Sequence, residues 1–284
     1  MSIADALSAT PVSSVDLTRY VAVPASVSVG ETVALMCSAG RSSACVVDGD
    51  ELVGVFTQRD ILQRVIGRPA SWHRPITEEM TRPVHTMSNE ASVADGLAIM
   101  NNRWIRSVPV LDHEDRLVGN LSFYAVVRTI GNLLTSRIAG SIGEATVHHG
   151  LTLVDFTGLH TSPPVTFLVN DPVELAIHHM RVRGLGSVLV IDDRENLVGE
   201  LTEFDVQTKV GCAGANLAAT SVEDVMTARP VSLDVRSPIA DAIHEILEQE
   251  VSHVALTGES GRPVGVASFR DIATFVETIL ETLG

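Results

Sequence analysis

The chain has 284 residues, a formal net charge of −15 and a hydrophobic content of 45%. This apolar content supports packed cores and excludes a disordered chain, and the acidic balance, with Lys209 as the only lysine, argues against binding of nucleic acids or anionic membranes. No apolar run approaches the length of a membrane span and the N-terminus lacks the features of a signal peptide, so we expect a cytoplasmic protein without a membrane partner.

The elements follow one order in each of four units. A short strand comes first, an amphipathic helix follows, and two strands joined by a tight turn precede a second helix. The predicted first helices are 29–36, 93–100, 173–180 and 239–246. The predicted strand pairs are 44–47 with 52–55, 108–111 with 117–119, 188–191 with 197–199, and 254–256 with 263–265. This β-α-β-β-α order predicts an α/β (α+β) fold with helices on one side of a small sheet.

The two halves of the chain also resemble each other. Residues 2–6 and 15–18 match 141–145 and 154–157 at the same spacing, so the second half begins near residue 141. In each half, a helix that runs into a proline turn introduces the second unit, at 76–84 and 222–231. The stretch 130–164 joins the halves and should be helix plus loop.

One motif closes each unit: a glycine, a Ser or Thr three residues later and, in three units, an Asp three residues after that. The polar pairs are Thr57 with Asp60, Thr202 with Asp205, and Ser268 with Asp271, whereas the second unit has Ser122 with Ala125. A hydroxyl at the N-cap and a carboxylate three residues on form a capping box, and the free N–H groups there attract phosphate. A single copy indicates only a capped helix, but repeated copies favour a shared function. Arg59 and Arg270, inside two copies, are the first candidates to hold a phosphate.

The cysteines and histidines carry little chemical signal. Cys37, Cys45 and Cys212 have no C-x-x-C spacing, so we predict small buried residues or free thiols in a reducing compartment. The histidine pairs at 148–149 and 178–179 have no carboxylate or cysteine at ligand spacing, so we expect no metal site.

The Met-Thr-x-Pro-Val lead-in, the helix, the Val-Pro-Val-Leu-Asp strand and the closing motif together resemble the CBS domain, the cystathionine-β-synthase-type regulatory repeat. Four copies, at about 21–65, 83–127, 164–209 and 230–276, cover nearly the whole chain; we refer to them as the first to fourth repeats. The resemblance implies two Bateman modules, 1–140 and 141–284, each a pseudo-twofold pair of repeats packed sheet to sheet. It also implies clefts for adenosyl ligands, which in this family include AMP, ADP, ATP, S-adenosylmethionine and NAD-type dinucleotides.

In that family the motif aspartate binds the ribose hydroxyls, the motif Ser or Thr contacts ribose or phosphate, and the partner repeat flanks the adenine. Carried over to this chain, the resemblance implies three pockets: Thr57 and Asp60 with Thr86 and Ile105; Ser268 and Asp271 with Thr166 and Leu185; Thr202 and Asp205 with Ser232 and Val251, with His253 next to the adenine-flanking position. The fourth pocket has Ala125 and Ala22 and lacks both polar anchors, so it should be empty or bind differently. We therefore expect one usable site in the first module and up to two in the second.

The resemblance implies a non-catalytic regulatory protein. It would sense an adenine nucleotide, AMP, ADP or ATP, as its regulatory ligand, use no catalytic cofactor, and signal to an unknown regulated protein by a change of module packing. The alternatives are a ligand-independent CBS scaffold for protein–protein association and an S-adenosylmethionine or NAD-type sensor. The residues leave open whether modules stack within one chain or between two chains, so a homodimer is one alternative.

Overall fold

The computed structural model describes residues 3–138, 155–158, 163–268 and 271–272. The helices are α1 (Ile3–Ala9), α2 (Val29–Ser38), α3 (Gln58–Asp60), α4 (Ile76–Glu79), α5 (Val93–Arg103), α6 (Phe123–Ile138), α7 (Val173–Arg183), α8 (Glu203–Asp205), α9 (Val222–Val225) and α10 (Ile239–Gln249). π-Helical turns at Ile61–Val65 and Val206–Cys212 continue α3 and α8, and short 3₁₀ turns lie at Val12–Ser14, Pro69–His73 and Phe156–Gly158. None of the helices in these ranges is long and apolar enough to cross a bilayer.

The strands follow the predicted order in every repeat. They are β1 (Val21–Pro24), β2 (Ser43–Asp48), β3 (Glu51–Thr57), β4 (Met87–Ser88), β5 (Ser107–Leu111), β6 (Leu117–Ser122), β7 (Thr166–Leu168), β8 (Ser187–Ile191), β9 (Leu197–Thr202), β10 (Thr227–Ala228), β11 (Ser232–Asp234), β12 (His253–Thr257) and β13 (Pro263–Ser268). In each repeat the first strand is parallel to the second, because a helix connects them, and the second is antiparallel to the third, because a tight turn joins them. The mixed α+β fold with four small sheets is therefore confirmed.

The segment that introduces the second repeat of each half adds to the sheet of the repeat before it. β10 pairs antiparallel with β9, with Thr227 opposite Glu200, so the sheet of the third repeat has four strands. In the first repeat the same contact is one bridge between Val55 and Thr81. This pairing brings a lead-in threonine, Thr81 or Thr227, close to the closing motif of the preceding repeat.

The hydrophobic cores combine repeats from different halves of the chain. One core contains Val33 and Phe56 of the first repeat together with Ile177 and Leu201 of the third. The other contains residues of the second and fourth repeats, such as Leu97 and Ile243. The two halves of this one chain therefore pack against each other through their helices.

Within each half the sheets of the two repeats face each other, as the resemblance implied. In the first half the Asn120 side chain donates to the Ser43 hydroxyl at 3.3 Å, and both groups are buried between the sheets. In the second half Arg262 forms an ion pair with Glu195 at 2.9 Å. The boundary between the modules, placed near residue 140, lies outside the described residues and stays a prediction.

The prediction for the cysteines was wrong for two of the three. Cys37, at the end of α2, and Cys212, at the end of the π-helical turn after α8, form a disulfide across a sequence separation of 175 residues. No local pattern could indicate this pair, because only the packing of the first repeat on the third brings their Cα atoms to 6.9 Å. Cys45 is a free, buried thiol as predicted, and burial raises its pKa to about 12.

Candidate ligand cavity between the four repeats

A cavity of about 510 Å³ lies where the four repeats meet. All four repeats line it with the turn before their second strand, and the first, second and fourth repeats also line it with the closing motif at the start of their second helix. The lining residues with a bearing on function are Thr57, Arg59, Asp60, Ile105, Arg106, Leu185, His253, Ser268 and Asp271. Its volume falls in the range of small-molecule sites, and apolar walls with a few convergent polar groups are typical of such sites.

Two of the three predicted pockets open into this cavity. The lining includes Thr57, Asp60 and Ile105 of one predicted pocket and Ser268, Asp271 and Leu185 of another. Thr86 and Thr166, however, are exposed and are not among the lining residues; the segments just before them, 83–85 and 163–165, line the cavity instead. The residues that line the cavity here therefore lie one to three positions before the predicted ones, and their role beside an adenine stays a prediction.

The third predicted pocket does not open into this cavity. Thr202, Asp205, Ser232 and Val251 are absent from its lining. Val251 instead packs against the core of the second and fourth repeats, and Ser232 is exposed. Arg270 lies outside the described residues.

The predicted capping boxes are present at the three motif aspartates, where one carboxylate oxygen accepts the N-cap N–H and hydroxyl. In the first repeat, Oδ2 of Asp60 accepts from the backbone N–H and the hydroxyl of Thr57, both at 2.8 Å. Oδ1 accepts from the Thr81 hydroxyl at 2.8 Å and lies 3.3 Å from the Arg64 guanidinium. Because a carboxylate offers about four acceptor positions, the protein itself already fills those of Asp60, which is only 6% exposed.

The third repeat contains the same arrangement. Oδ2 of Asp205 accepts from Thr202, and Oδ1 accepts from the Thr227 hydroxyl at 2.7 Å and lies 2.8 Å from the Lys209 ammonium. Lys209 also donates to the backbone carbonyl of Met226 at 2.8 Å. We call this arrangement, a motif aspartate held by a lead-in threonine and by a cation four residues later, the aspartate clamp.

The fourth repeat has the capping box without the clamp. Oδ2 of Asp271 accepts from the backbone N–H of Ser268 at 2.8 Å and from its hydroxyl at 2.6 Å. Among the described residues, none donates to Oδ1. Position 275, four residues later, is a phenylalanine in the sequence, so no cation occupies the clamp position. In the second repeat Ala125 has no carboxylate; its N–H donates to the Ser122 hydroxyl at 3.2 Å, and its carbonyl accepts from the Thr129 hydroxyl at 2.8 Å.

A charged cluster joins three repeats beside the cavity. Glu203, which immediately follows the N-cap Thr202, is 2% exposed. Its Oε1 lies 3.3 Å from Nε of Arg59, and its Oε2 accepts a short hydrogen bond from Arg106. Arg59 also donates to the Gly184 carbonyl at 3.3 Å. The cluster therefore ties both repeats of the first module to the third repeat.

His253 lies in the wall of the cavity, 7% exposed. A methyl group at Gly186 would lie 2.7 Å from its Nε2, so the absence of a side chain there makes room for the ring. Burial, the largest cause, together with the positive charges of Arg106 and Arg59 lowers the pKa of His253 to about 3. The imidazole is therefore neutral at physiological pH and can donate or accept one hydrogen bond at each nitrogen.

A second buried carboxyl lies in the third repeat, at Glu200. It is two residues before Thr202 on the same face of β9, at the position where Val55 and Val266 line the cavity in the first and fourth repeats. Its Oε1 has no hydrogen-bond partner among the described residues. Burial, the largest cause, and the charge of Asp205 together raise its pKa to about 7, although the hydrogen bond with the Ser187 hydroxyl lowers it.

Sequence reasoning did not identify Arg106 and Glu203. Each of them lies next to a predicted site residue in the sequence. Arg106 directly follows Ile105, which was predicted to flank the adenine, and Glu203 directly follows the N-cap Thr202. A charged residue next to a proposed contact position is nevertheless common on any surface. Only the packing of the halves shows that these two side chains meet.

Comparisons with known proteins agree with this architecture. The family model of the CBS domain matches residues 12–67, 76–132, 156–210 and 222–278, which is most of the chain. The CBS domain-containing protein CBSCBSPB1 of Arabidopsis thaliana is 23% identical over 274 residues, which cover 88% of this chain and 50% of the relative. A 33.4 kDa protein in the ribosomal RNA operon of Thermofilum pendens is 23% identical over 200 residues, covering 68% of this chain and 63% of the relative. The chain thus spans less than two thirds of the length of these relatives.

Two solved structures match this fold over nearly their whole length. Protein MJ1225 from Methanocaldococcus jannaschii superposes with a TM-score of 0.74 at 14% identity, covering 92% of this chain and 98% of that protein. A conserved protein from Pyrococcus horikoshii superposes with a TM-score of 0.55 at 16% identity, covering 89% of this chain and 96% of that protein. At these identities the likeness is one of fold.

Proposed function

Since the chain belongs to the CBS-domain family, we propose that it is a non-catalytic regulatory protein that binds an adenine nucleotide in the central cavity and signals by a change of module packing. The observation that carries this proposal is that one cavity gathers two ribose-type anchors, Thr57 with Asp60 and Ser268 with Asp271. Two vicinal hydroxyls suit one carboxylate acceptor, and a flat base suits the apolar slots beside Ile105 and Leu185.

The cleft of Asp271 is the first to fill. Its carboxylate keeps one oxygen without a donor among the described residues, so a ribose can bind without displacing any of those residues. At Asp60 a ribose has to replace the contacts with Thr81 and Arg64, which lowers its net gain. The two clefts of the cavity therefore bind the same class of ligand with different affinity.

The phosphate end of the ligand points to the arginines between these clefts. Arg59 and Arg106 line the cavity, and their guanidinium groups suit phosphate oxygens as bidentate donors. Both arginines also contact Glu203 of the third repeat. A ligand phosphate therefore changes contacts between the modules, and its effect on a partner is limited by its differential affinity for the two packings.

The test is a comparison of Asp271→Asn with Asp224→Asn by native mass spectrometry and calorimetric titration with AMP, ADP, ATP, S-adenosylmethionine and NADH. Asp224 is the matched control because it forms the same capping box, with Ser221 at 2.8 and 2.7 Å, outside the cavity. We expect Asp271→Asn to weaken the tightest adenosyl site by about tenfold or more, since a charged acceptor is lost. We expect Asp224→Asn to leave binding unchanged.

Equal effects of the two substitutions, or a nucleotide bound beside Ala125, would contradict the site assignment. Binding of S-adenosylmethionine or NADH in preference to the mononucleotides would keep the cavity and change the ligand class.

One observation favours a second candidate, a ligand-independent scaffold. The acceptor positions of Asp60 and Asp205 are filled by protein groups, so these two motifs hold their repeats together without a ligand. Melting curves that stay the same with every adenosyl ligand would support the scaffold over the sensor.

A further inference from the structure

The contact between Glu203 and two cavity arginines is unusual because all three groups belong to different repeats. Arg59 comes from the first repeat, Arg106 from the second and Glu203 from the third. The two guanidinium groups are partly exposed, at 48% and 36% of their side chains, whereas the carboxylate is 2% exposed. Glu203 is not a lining residue, so it lies behind the arginines as seen from the cavity.

The charges in this cluster do not balance. Two guanidinium groups share one carboxylate, and the neighbouring His253 is neutral, so the cluster carries one net positive charge. Oε1 of Glu203 has no well-aligned hydrogen bond, although Arg59 Nε is 3.3 Å away. An Arg side chain has five N–H donors, so both arginines keep donors for an anion that enters the cavity.

We propose that Glu203 is a specificity-determining residue that limits the number of phosphate charges the cavity accepts, so that the preferred ligand is a nucleoside monophosphate. The proposal rests on the proposed function and names the ligand of that site. The negative charge of a monophosphate is largely compensated by the two arginines, even with Glu203 in place. A triphosphate brings further negative charge close to a carboxylate that is buried and cannot move into water, and this repulsion is strong because the local dielectric constant is low.

The same geometry makes Glu203 a competitor for the arginines. When a phosphate takes donors from Arg59 and Arg106, the contacts of Glu203 weaken, and a buried carboxylate without its partners is unfavourable. Removing the charge of Glu203 should therefore strengthen phosphate binding and should leave the binding of an uncharged nucleoside unchanged.

The test is a calorimetric titration of the full chain with adenosine, AMP and ATP, in wild type, Glu203→Gln and Glu79→Gln. Glu79 is the matched control because it is also buried, at 7% exposure, and pairs with one arginine, Arg74 at 3.5 Å, outside the cavity. For Glu203→Gln we expect unchanged adenosine affinity, about tenfold tighter AMP and a larger gain for ATP. Glu79→Gln should change none of the three.

A second variant separates charge from structure. Glu203→Asp keeps the charge, so it should keep the wild-type preference for AMP over ATP even where both affinities fall. Parallel loss of adenosine, AMP and ATP in Glu203→Gln and Glu203→Asp would overturn the proposal and leave only a structural role. An unchanged ratio of AMP to ATP affinity in Glu203→Gln would also overturn it.

If the protein does not bind adenosyl ligands, the role of Glu203 is tested by a different titration. If wild type binds no adenosyl ligand, inorganic pyrophosphate becomes the probe of the arginines. Tighter pyrophosphate binding by Glu203→Gln than by wild type would then uphold the role of Glu203 against anions. Equal binding would overturn it.

Discussion

The packed pair of the first and third repeats differs from the pair of the second and fourth. In the first pair both motif aspartates are clamped by a cation and a lead-in threonine, and a disulfide joins the repeats. In the second pair the described residues give Asp271 only its capping box, and the second repeat has Ala125 in place of a carboxylate. One short motif therefore serves two purposes: in one pair it stabilises the fold, and in the other it leaves an acceptor that we propose for a ligand.

The difference comes from residues outside the motif. A cation at the fourth position after the aspartate, Arg64 or Lys209, lies on the same helix face and reaches the carboxylate. The same position is Thr129 in the second repeat and Phe275 in the fourth.

The largest effect should come from the disulfide of the first pair. The substitution of Cys37 and Cys212 by Ser should lower the free energy of unfolding by about 3 kcal/mol, because the bond constrains a long loop in the unfolded chain. Urea unfolding with and without reductant measures this. Reductant should lower the free energy of unfolding of wild type to that of the double variant. A Cys45→Ala control should remain as sensitive to reductant as wild type. A wild type indifferent to reductant would contradict the prediction.

The next effect concerns Glu200, where the third repeat buries a carboxyl and the fourth has Val266. Its folded-state pKa of about 7 lies above the ordinary glutamate value of 4.5, so the folded state binds this proton more tightly and stability falls as pH rises between these values. Glu200→Gln removes this pH-dependent loss of stability, because glutamine does not ionise. The variant should be more stable than wild type by up to about 3 kcal/mol at pH 8 and equally stable near pH 4. Parallel profiles of stability against pH would contradict it.

The clamp itself predicts a smaller difference. Asp205→Ala should lower the free energy of unfolding by about 2 kcal/mol, because it removes a cap and leaves Lys209, 39% exposed, with less compensation. Asp271→Ala should cost about 1 kcal/mol, the value of a cap alone. Chemical denaturation of both variants checks the order, and a reversed order would show that the clamp does not stabilise the third repeat.

The smallest effect comes from building part of a clamp into the second repeat. Ala125→Asp adds a carboxylate beside Ser122, and Thr129→Lys adds a cation at the clamp position. A double-mutant cycle should show a favourable coupling of about 0.5 kcal/mol, typical of such helix pairs. A coupling of zero would mean that the lead-in threonine, and not the cation, is the effective part of the clamp.

The sequence alone determined the elements and their repetition. Each β-α-β-β-α unit depends on apolar periodicity, and each capping box, such as Thr57 with Asp60, depends on residues three positions apart. These patterns are local, so they can be recognised without knowledge of any tertiary contact. The helices observed extend the predicted ones by two or three residues at the C-terminal end, where periodicity weakens and capping decides.

The tertiary structure determines which contacts those local units make. It determined which oxygens of Asp60, Asp205 and Asp271 are already occupied, since Thr81 and Thr227 reach them only through sheet pairing. It also determined the meeting of Arg59 and Glu203, because that contact exists only after the first repeat packs on the third. Contacts between residues more than a hundred positions apart depend on the burial of whole helix faces, and no spacing within a repeat encodes them.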